Sequence, residues 1–181
     1  MALIVEDGTG KADAESYIAV ADATTYHAAR GNADWAALAS DTVREQMLRK
    51  ATEYMVQQYR MRWKGVRATT VQALDWPRGL VERPDYAYAG MNGYTTISGD
   101  FYFPSDDVPL EVERACAELA LKAISGPLAP DLTPPVTREK VGPIEVEYAQ
   151  GARQTTTYQA VDNLLAPFLK IAGGFLPVVR A

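Results

Sequence analysis

The chain has 181 residues, 48% of them hydrophobic, with 18 basic against 23 acidic side chains and a formal net charge of −5. That length predicts one domain able to build its core without staples, and the acidic balance argues against a generally basic DNA-binding domain. A single cysteine, Cys116, and a single histidine, His27, exclude an internal disulfide framework and argue against a zinc cluster or a two-histidine metal site.

The opening residues 1–7 lack the basic region and apolar run of a signal peptide. Residues 171–179 are apolar but broken by Gly173, Gly174 and Pro177, and too short to span a bilayer. Both features predict a cytoplasmic chain with no membrane partner.

In chain order, residues 17–20 read as a short extended piece entering a helix with Asp22 as N-cap and Gly31 as its left-handed stop. The clearest helix opens at Ser40 or Asp41, with Thr42 and Glu45 in capping-box spacing. Its apolar stripe is Val43, Met47, Leu48, Ala51, Tyr54, Met55 and Tyr59, and Arg44, Glu45, Arg49, Lys50 and Glu53 take the wet side. Periodicity then dissolves over 60–103. Residues 71–74 read as a helical turn ended by Trp76-Pro77, and about 79–103 as a projecting loop used for binding.

Order returns at Val108-Pro109, which opens a small-residue-rich helix with the stripe Leu110, Val112, Cys116, Leu119, Ala120, Ala123 and Ile124, stopped at Ser125-Gly126-Pro127. The proline-rich stretch 127–135 predicts a stiff linker. A β-hairpin is predicted at about 137–148, where Ile144-Glu145-Val146-Glu147-Tyr148 alternates. A third amphipathic helix follows, with Thr157 as cap and the stripe Val161, Leu164, Leu165, Phe168 and Leu169, ended by Gly173-Gly174. The fold class is therefore mainly α: a small helical bundle with a short β-hairpin, a long inserted loop and an extended C-terminal arm. The domain spans 1–171 and the arm 172–181.

The residues offer little chemistry. There is no G-x-S-x-G elbow, Walker A motif or G-x-G-x-x-G fingerprint. His27 reads as a surface or interface histidine, and Cys116 as a small hydrophobe on a helix stripe. The acidic pairs Asp106-Asp107 and Glu145/Glu147 read as a helix-entry pair and a wet strand face, and Asp7-Gly8-Thr9-Gly10 lacks the later ligands of a calcium loop. No catalytic, metal or cofactor residue is predicted, and the chain is read as a non-enzyme.

The nucleic-acid signal is residues 60–78, where Arg60, Arg62, Lys64, Arg67 and Arg78 interleave with Trp63 and Trp76 and a single acid, Asp75. Cations with stacking rings suit a single strand. Equally, the cations can complement a helix end while the indoles anchor the segment on the core. Arg60, Arg62, Lys64 and Arg67 are the candidate phosphate contacts. A local surplus of about four charges predicts weak, salt-sensitive binding with no tight complex at about 150 mM salt.

Several stretches resemble a family of tailed-phage head–tail connector adaptors: residues 3–10, Ser16-Tyr17-Ile18, residues 26–31 with Trp35, residues 49–54, 72–78, 108–112 and 139–148. Members often carry an automatic label as DnaT-like single-stranded-DNA-binding proteins. The resemblance covers nearly the whole chain and implies a virion neck protein assembled in the bacterial cytoplasm, a homo-oligomeric ring of twelve copies. Its implied partners are a portal protein and a stopper or tail-completion protein, with double-stranded DNA passing through the lumen without specific binding. The apolar tail (Phe175, Leu176, Val178, Val179 and Arg180) and the loop aromatics (Tyr86, Tyr88, Tyr94, Phe101, Tyr102 and Phe103) are the expected portal or subunit interface. The alternative is a single-stranded-DNA-binding replication accessory protein using residues 60–78.

Overall fold

The computed structural model describes residues 2–83, 101–131, 138–141, 144–147 and 156–170, with the backbone path alone for the strands within 138–147. Its elements are α1 (Val20–Ala28), α2 (Ala33–Ala36), α3 (Asp41–Tyr59), β1 (Val66–Arg67), β2 (Arg78–Gly79), α4 (Leu110–Ala123), β3 (Arg138–Val141), β4 (Ile144–Glu147) and α5 (Gln159–Leu165). The chain is mainly helical, as its periodicity predicts. No helix among the described residues is long and apolar enough to cross a membrane.

Helices α3 and α4 form the largest contact between elements. The buried face of α3 (Met47, Leu48, Ala51, Thr52, Tyr54, Met55 and Tyr59) is the predicted stripe, with Thr52 added and Val43 only half-buried. On α4 the small side chains Ala115, Ala117, Ala120 and Ala123 are buried beside Val112, Cys116 and Leu119, letting the backbones approach. Thr52 Oγ1 and Cys116 Sγ meet at 3.4 Å where the helices cross. Fully burying Leu48 and Leu119 contributes about 1.5–3 kcal/mol each.

Helix ends follow local chemistry. Ser40 caps α3, its Oγ accepting from Val43 N at 3.4 Å. Thr42 lies inside the helix. Ala19, not Asp22, is the N-cap of α1; Asp22 sits in the first turn, where its charge complements the dipole. Gly31 does take a left-handed φ of 68°. α5 is capped at Tyr158, not Thr157, and ends at Leu165, where a 3-10 turn over Ala166–Phe168 accommodates Pro167. Gly173-Gly174 lies outside the described residues.

Tertiary contacts override other sequence expectations. The four-residue α2 was not predicted; it buries Trp35. Arg44, assigned to the wet side, turns inward: its Nη2 donates to the Ala36 and Leu38 carbonyls at 3.3 and 3.1 Å, tying α2 to the start of α3. Residues 71–74 are a bend, not a helical turn. Gln72 explains this: its Oε1 accepts from Thr69 N, and its Nε2 donates to the Leu74 and Pro77 carbonyls. Leu110, on the predicted stripe, is instead 51% exposed, while Val108 and Val112 on either side of it are buried. The proposed linker begins docked: Leu128 is buried and its carbonyl accepts from Tyr158 Oη at 3.1 Å.

The hairpin matches its alternation. β3 and β4 are antiparallel, with Arg138 opposite Glu147 and Val141 opposite Ile144. A second, two-residue ladder was not foreseen: Val66 faces Gly79 and Arg67 faces Arg78. Gly65, at φ 64°, permits it, since a β-carbon there would strike the Gly79 carbonyl oxygen.

Candidate functional site

His27 and Cys116, the two most reactive side-chain types in the sequence, are both sealed into the core. His27 is fully buried, correcting the surface assignment. The reason is a fitted polar socket: Nε2 lies 3.2 Å from the Ala117 carbonyl and Nδ1 lies 3.0 Å from Asn32 Nδ2. With the amide donating to Nδ1, the proton sits on Nε2 and the ring is neutral. Burial lowers its pKa, with a smaller opposing pull from the Ala117 hydrogen bond and Glu118. Cys116 is buried between Thr52 and Ser16, and burial raises its pKa, which keeps it a thiol.

The His27 socket has a pH consequence. The unfolded histidine takes up a proton near its ordinary value of 6.5, whereas the folded ring resists until lower pH. Stability is therefore full above about pH 6.5 and lost as pH falls below it. Thermal melts between pH 7.5 and 5.5 should show a falling Tm, and His27→Gln should flatten that slope. Identical slopes in both proteins would contradict the assignment.

Sequence reasoning missed Glu6. This carboxylate is 3% exposed, and it organises the turn that follows it. Its Oε1 accepts from Gly8 N and Gly10 N at 3.0 and 2.8 Å, and its Oε2 from Lys11 N at 2.8 Å. Gly8 has φ 95°, and a β-carbon there would run into the Asp106 carbonyl. The glycine-rich opening is thus a folded cup around one buried acid, and Asp106-Asp107 lies exposed beside it. No group of three or more metal-ligating side chains occurs among the described residues.

The basic stretch is split by the fold into two sets. The indoles of Trp63 and Trp76 are 1% and 0% exposed, packed edge to face at 5.8 Å, with Phe168 on the far side of Trp76 at 5.7 Å. They anchor the segment and cannot receive a base. Arg78 is equally structural: Nε donates to the Lys64 carbonyl, Nη1 to that of Asp75 and Nη2 to that of Gly65, at 2.8–3.1 Å. Arg60 pairs with the buried Asp75 carboxylate at 2.9 Å. Lys64 Nζ donates to the Pro167 carbonyl at 2.8 Å.

What remains outside are Arg62 and Arg67, both exposed and neither in an ion pair among the described residues. The Arg62 guanidinium rests 5.3 Å from the Tyr59 ring centre, and Arg67 lies on β1. Lys170, also exposed, donates its backbone N–H to the Arg62 carbonyl at 2.7 Å. Four large apolar side chains are left in solvent nearby in the sequence: Met61, Val66, Val71 and Leu80.

The base of the inserted loop adjoins this surface. Its two stems pair: Arg83 N donates to the Phe101 carbonyl and Phe103 N to that of Val81, with Glu82 opposite Tyr102. Period-two alternation then sorts the aromatics. Phe103, half-buried, packs onto Phe168 at 5.0 Å beside the fully buried Val81. Phe101 is half-buried, and Tyr102 is 37% exposed. Tyr86, Tyr88 and Tyr94, like the tail residues Phe175, Leu176, Val178, Val179 and Arg180, lie outside the described residues.

The exposed cations of this segment are Arg62 and Arg67, and the exposed ring at the loop base is Tyr102, opposite the exposed Glu82. A family model described as "Putative DnaT-like ssDNA binding protein" matches residues 1–181, and the chain belongs to that family. No curated protein and no solved structure matches the chain. The family match corrects the reading as a tailed-phage head–tail adaptor. With it go the virion neck, the ring, the portal and stopper partners, and the passage of double-stranded DNA. The resemblance rested on stretches that are structural: the cup around Glu6, the His27 socket, and the segment gathered by Gln72 and Arg78.

Proposed function

We propose that the protein binds single-stranded DNA, without catalysing a reaction on it, through the surface carrying Arg62 and Arg67. The observation that carries this reading is the sorting of charge over residues 60–83. The acid of residues 60–78, Asp75, is buried and paired, while Arg62 and Arg67 stand in water without an acidic partner among the described residues. Family membership supports the same ligand. A chain of net charge −5 meets a polyanion only through such a local patch, so affinity is modest and strongly dependent on salt.

The test is a fluorescence-anisotropy titration with a labelled oligo(dT) across a salt series. Each phosphate neutralised on a single strand contributes about 0.7 to the slope of log affinity against log salt. Arg62→Ala with Arg67→Ala should weaken binding at every salt and reduce the slope by roughly 1.4, while the melting temperature stays unchanged. An unaltered slope would place the contact elsewhere, and no binding by the unmodified protein at low salt would end the reading.

A further inference from the structure

The groove at the base of the inserted loop is lined by Gly79, Leu80, Arg83, Tyr102, Pro104 and Ser105, above a floor formed by Phe103, and encloses about 470 Å³. That volume falls in the range of small-ligand sites. Three features mark it as more than a fold in the surface. Leu80 has a left-handed φ of 59°, unusual for a branched side chain, and this conformation holds it 65% exposed on the groove rim. Tyr102 is held in orientation by the edge of Phe101, with ring centres 4.9 Å apart at 89°. Arg83 lines the groove with its guanidinium over the Phe103 ring at 5.2 Å, and among the described residues its buried Nε has no hydrogen-bond partner.

Resting on the reading above, we infer that this groove receives one unstacked nucleobase of the bound strand, stacked on Tyr102, with a flanking phosphate on Arg83. Charge complementarity chooses this occupant over an apolar peptide. Arg83 forms no ion pair among the described residues, and β2, which leads directly into the groove, is paired with the strand that carries Arg67. Leu80 and Pro104 supply apolar walls for the edges of the base. The opposing feature is Glu82, exposed and directly across from Tyr102, whose charge repels the backbone. The buried tryptophans suggested by sequence cannot provide the stacking; the half-exposed tyrosine can.

The experiment compares oligo(dT) with an oligomer of equal phosphate count in which every position is abasic. The unmodified protein should bind oligo(dT) roughly tenfold more tightly than the abasic strand, since a base–aromatic stack contributes on that order. Tyr102→Ala should abolish the preference, Tyr102→Phe should retain it, and Glu82→Gln should tighten binding to both strands. Equal affinity of the unmodified protein for the two strands, or a preference that survives Tyr102→Ala, overturns the groove proposal. If either occurs while Arg62→Ala with Arg67→Ala still weakens binding, the single-strand reading stands without it. If the unmodified protein binds neither strand, both fall together. The strand comparison needs no variant, so misfolding of Tyr102→Ala would not rescue the idea.

Discussion

Replacing Glu6 with alanine is expected to lower stability by about 3–5 kcal/mol, a large share of what a domain of this size possesses. Three backbone N–H groups, those of Gly8, Gly10 and Lys11, donate to this one buried carboxylate. Removing it leaves the buried Gly8 and Gly10 donors and the part-buried Lys11 donor without that acceptor. Hydrogen bonds to a charged group contribute about 1.5–3 kcal/mol each, and relaxation with entry of water returns part of the loss. At roughly 2–4 °C per kcal/mol, the Tm should fall by about 6–20 °C. Glu6→Gln keeps a single acceptor oxygen, enough for the pair served by Oε1 but not for Lys11 N, and should lose about half as much. A change in Tm of under about 2 °C for Glu6→Ala would show that the turn satisfies itself without the acid.

Trp76→Ala should cost about 3–5 kcal/mol, because the indole is fully buried against the Trp63 and Phe168 rings and its removal opens a cavity in the core. Trp76→Phe retains the aromatic contact and should cost less. The same geometry makes a prediction about binding. All three tryptophans, Trp35, Trp63 and Trp76, are at most 1% exposed. Indole emission should therefore stay unchanged as oligo(dT) is added, even when anisotropy of the labelled strand reports saturation. Strong quenching would mean that an indole reaches a base, which would require the core to open.

The accuracy of the sequence reading varied with the distance over which each signal acts. The α3 stripe was legible, because it depends on neighbours within one or two turns. So was the β3–β4 alternation. The sequence left the start of α3 open between Ser40 and Asp41, with a capping box on Thr42, and the structure places the cap at Ser40. The end of α5 was misplaced, although Pro167 stands in the sequence as a local stop signal. His27 misled for another reason: nothing within its helix announces that Asn32 and the Ala117 carbonyl will close around the ring. The candidate site was half legible. The cluster of cations was visible as composition, and Arg62 and Arg67 were among the residues chosen. Which cations would be consumed internally was not visible, since Arg78 and Lys64 are occupied by carbonyls that only the folded chain brings to them.

The sequence by itself determined a mainly helical domain, two long amphipathic helices with one apolar stripe each, and a basic segment studded with indoles. Hydrophobic periodicity and capping are properties of adjacent residues, and they survive without knowledge of the fold. Tertiary structure decided the fate of every polar group whose partner is far along the chain. Asp75 took Arg60, fifteen residues away, out of the available charge. The paired loop stems packed Phe103 against Phe168 and left Tyr102 facing water. The physical reason is desolvation: a polar group left buried alone is costly, and the partners of Arg78, Lys64 and Asp75 are supplied by packing rather than by sequence proximity.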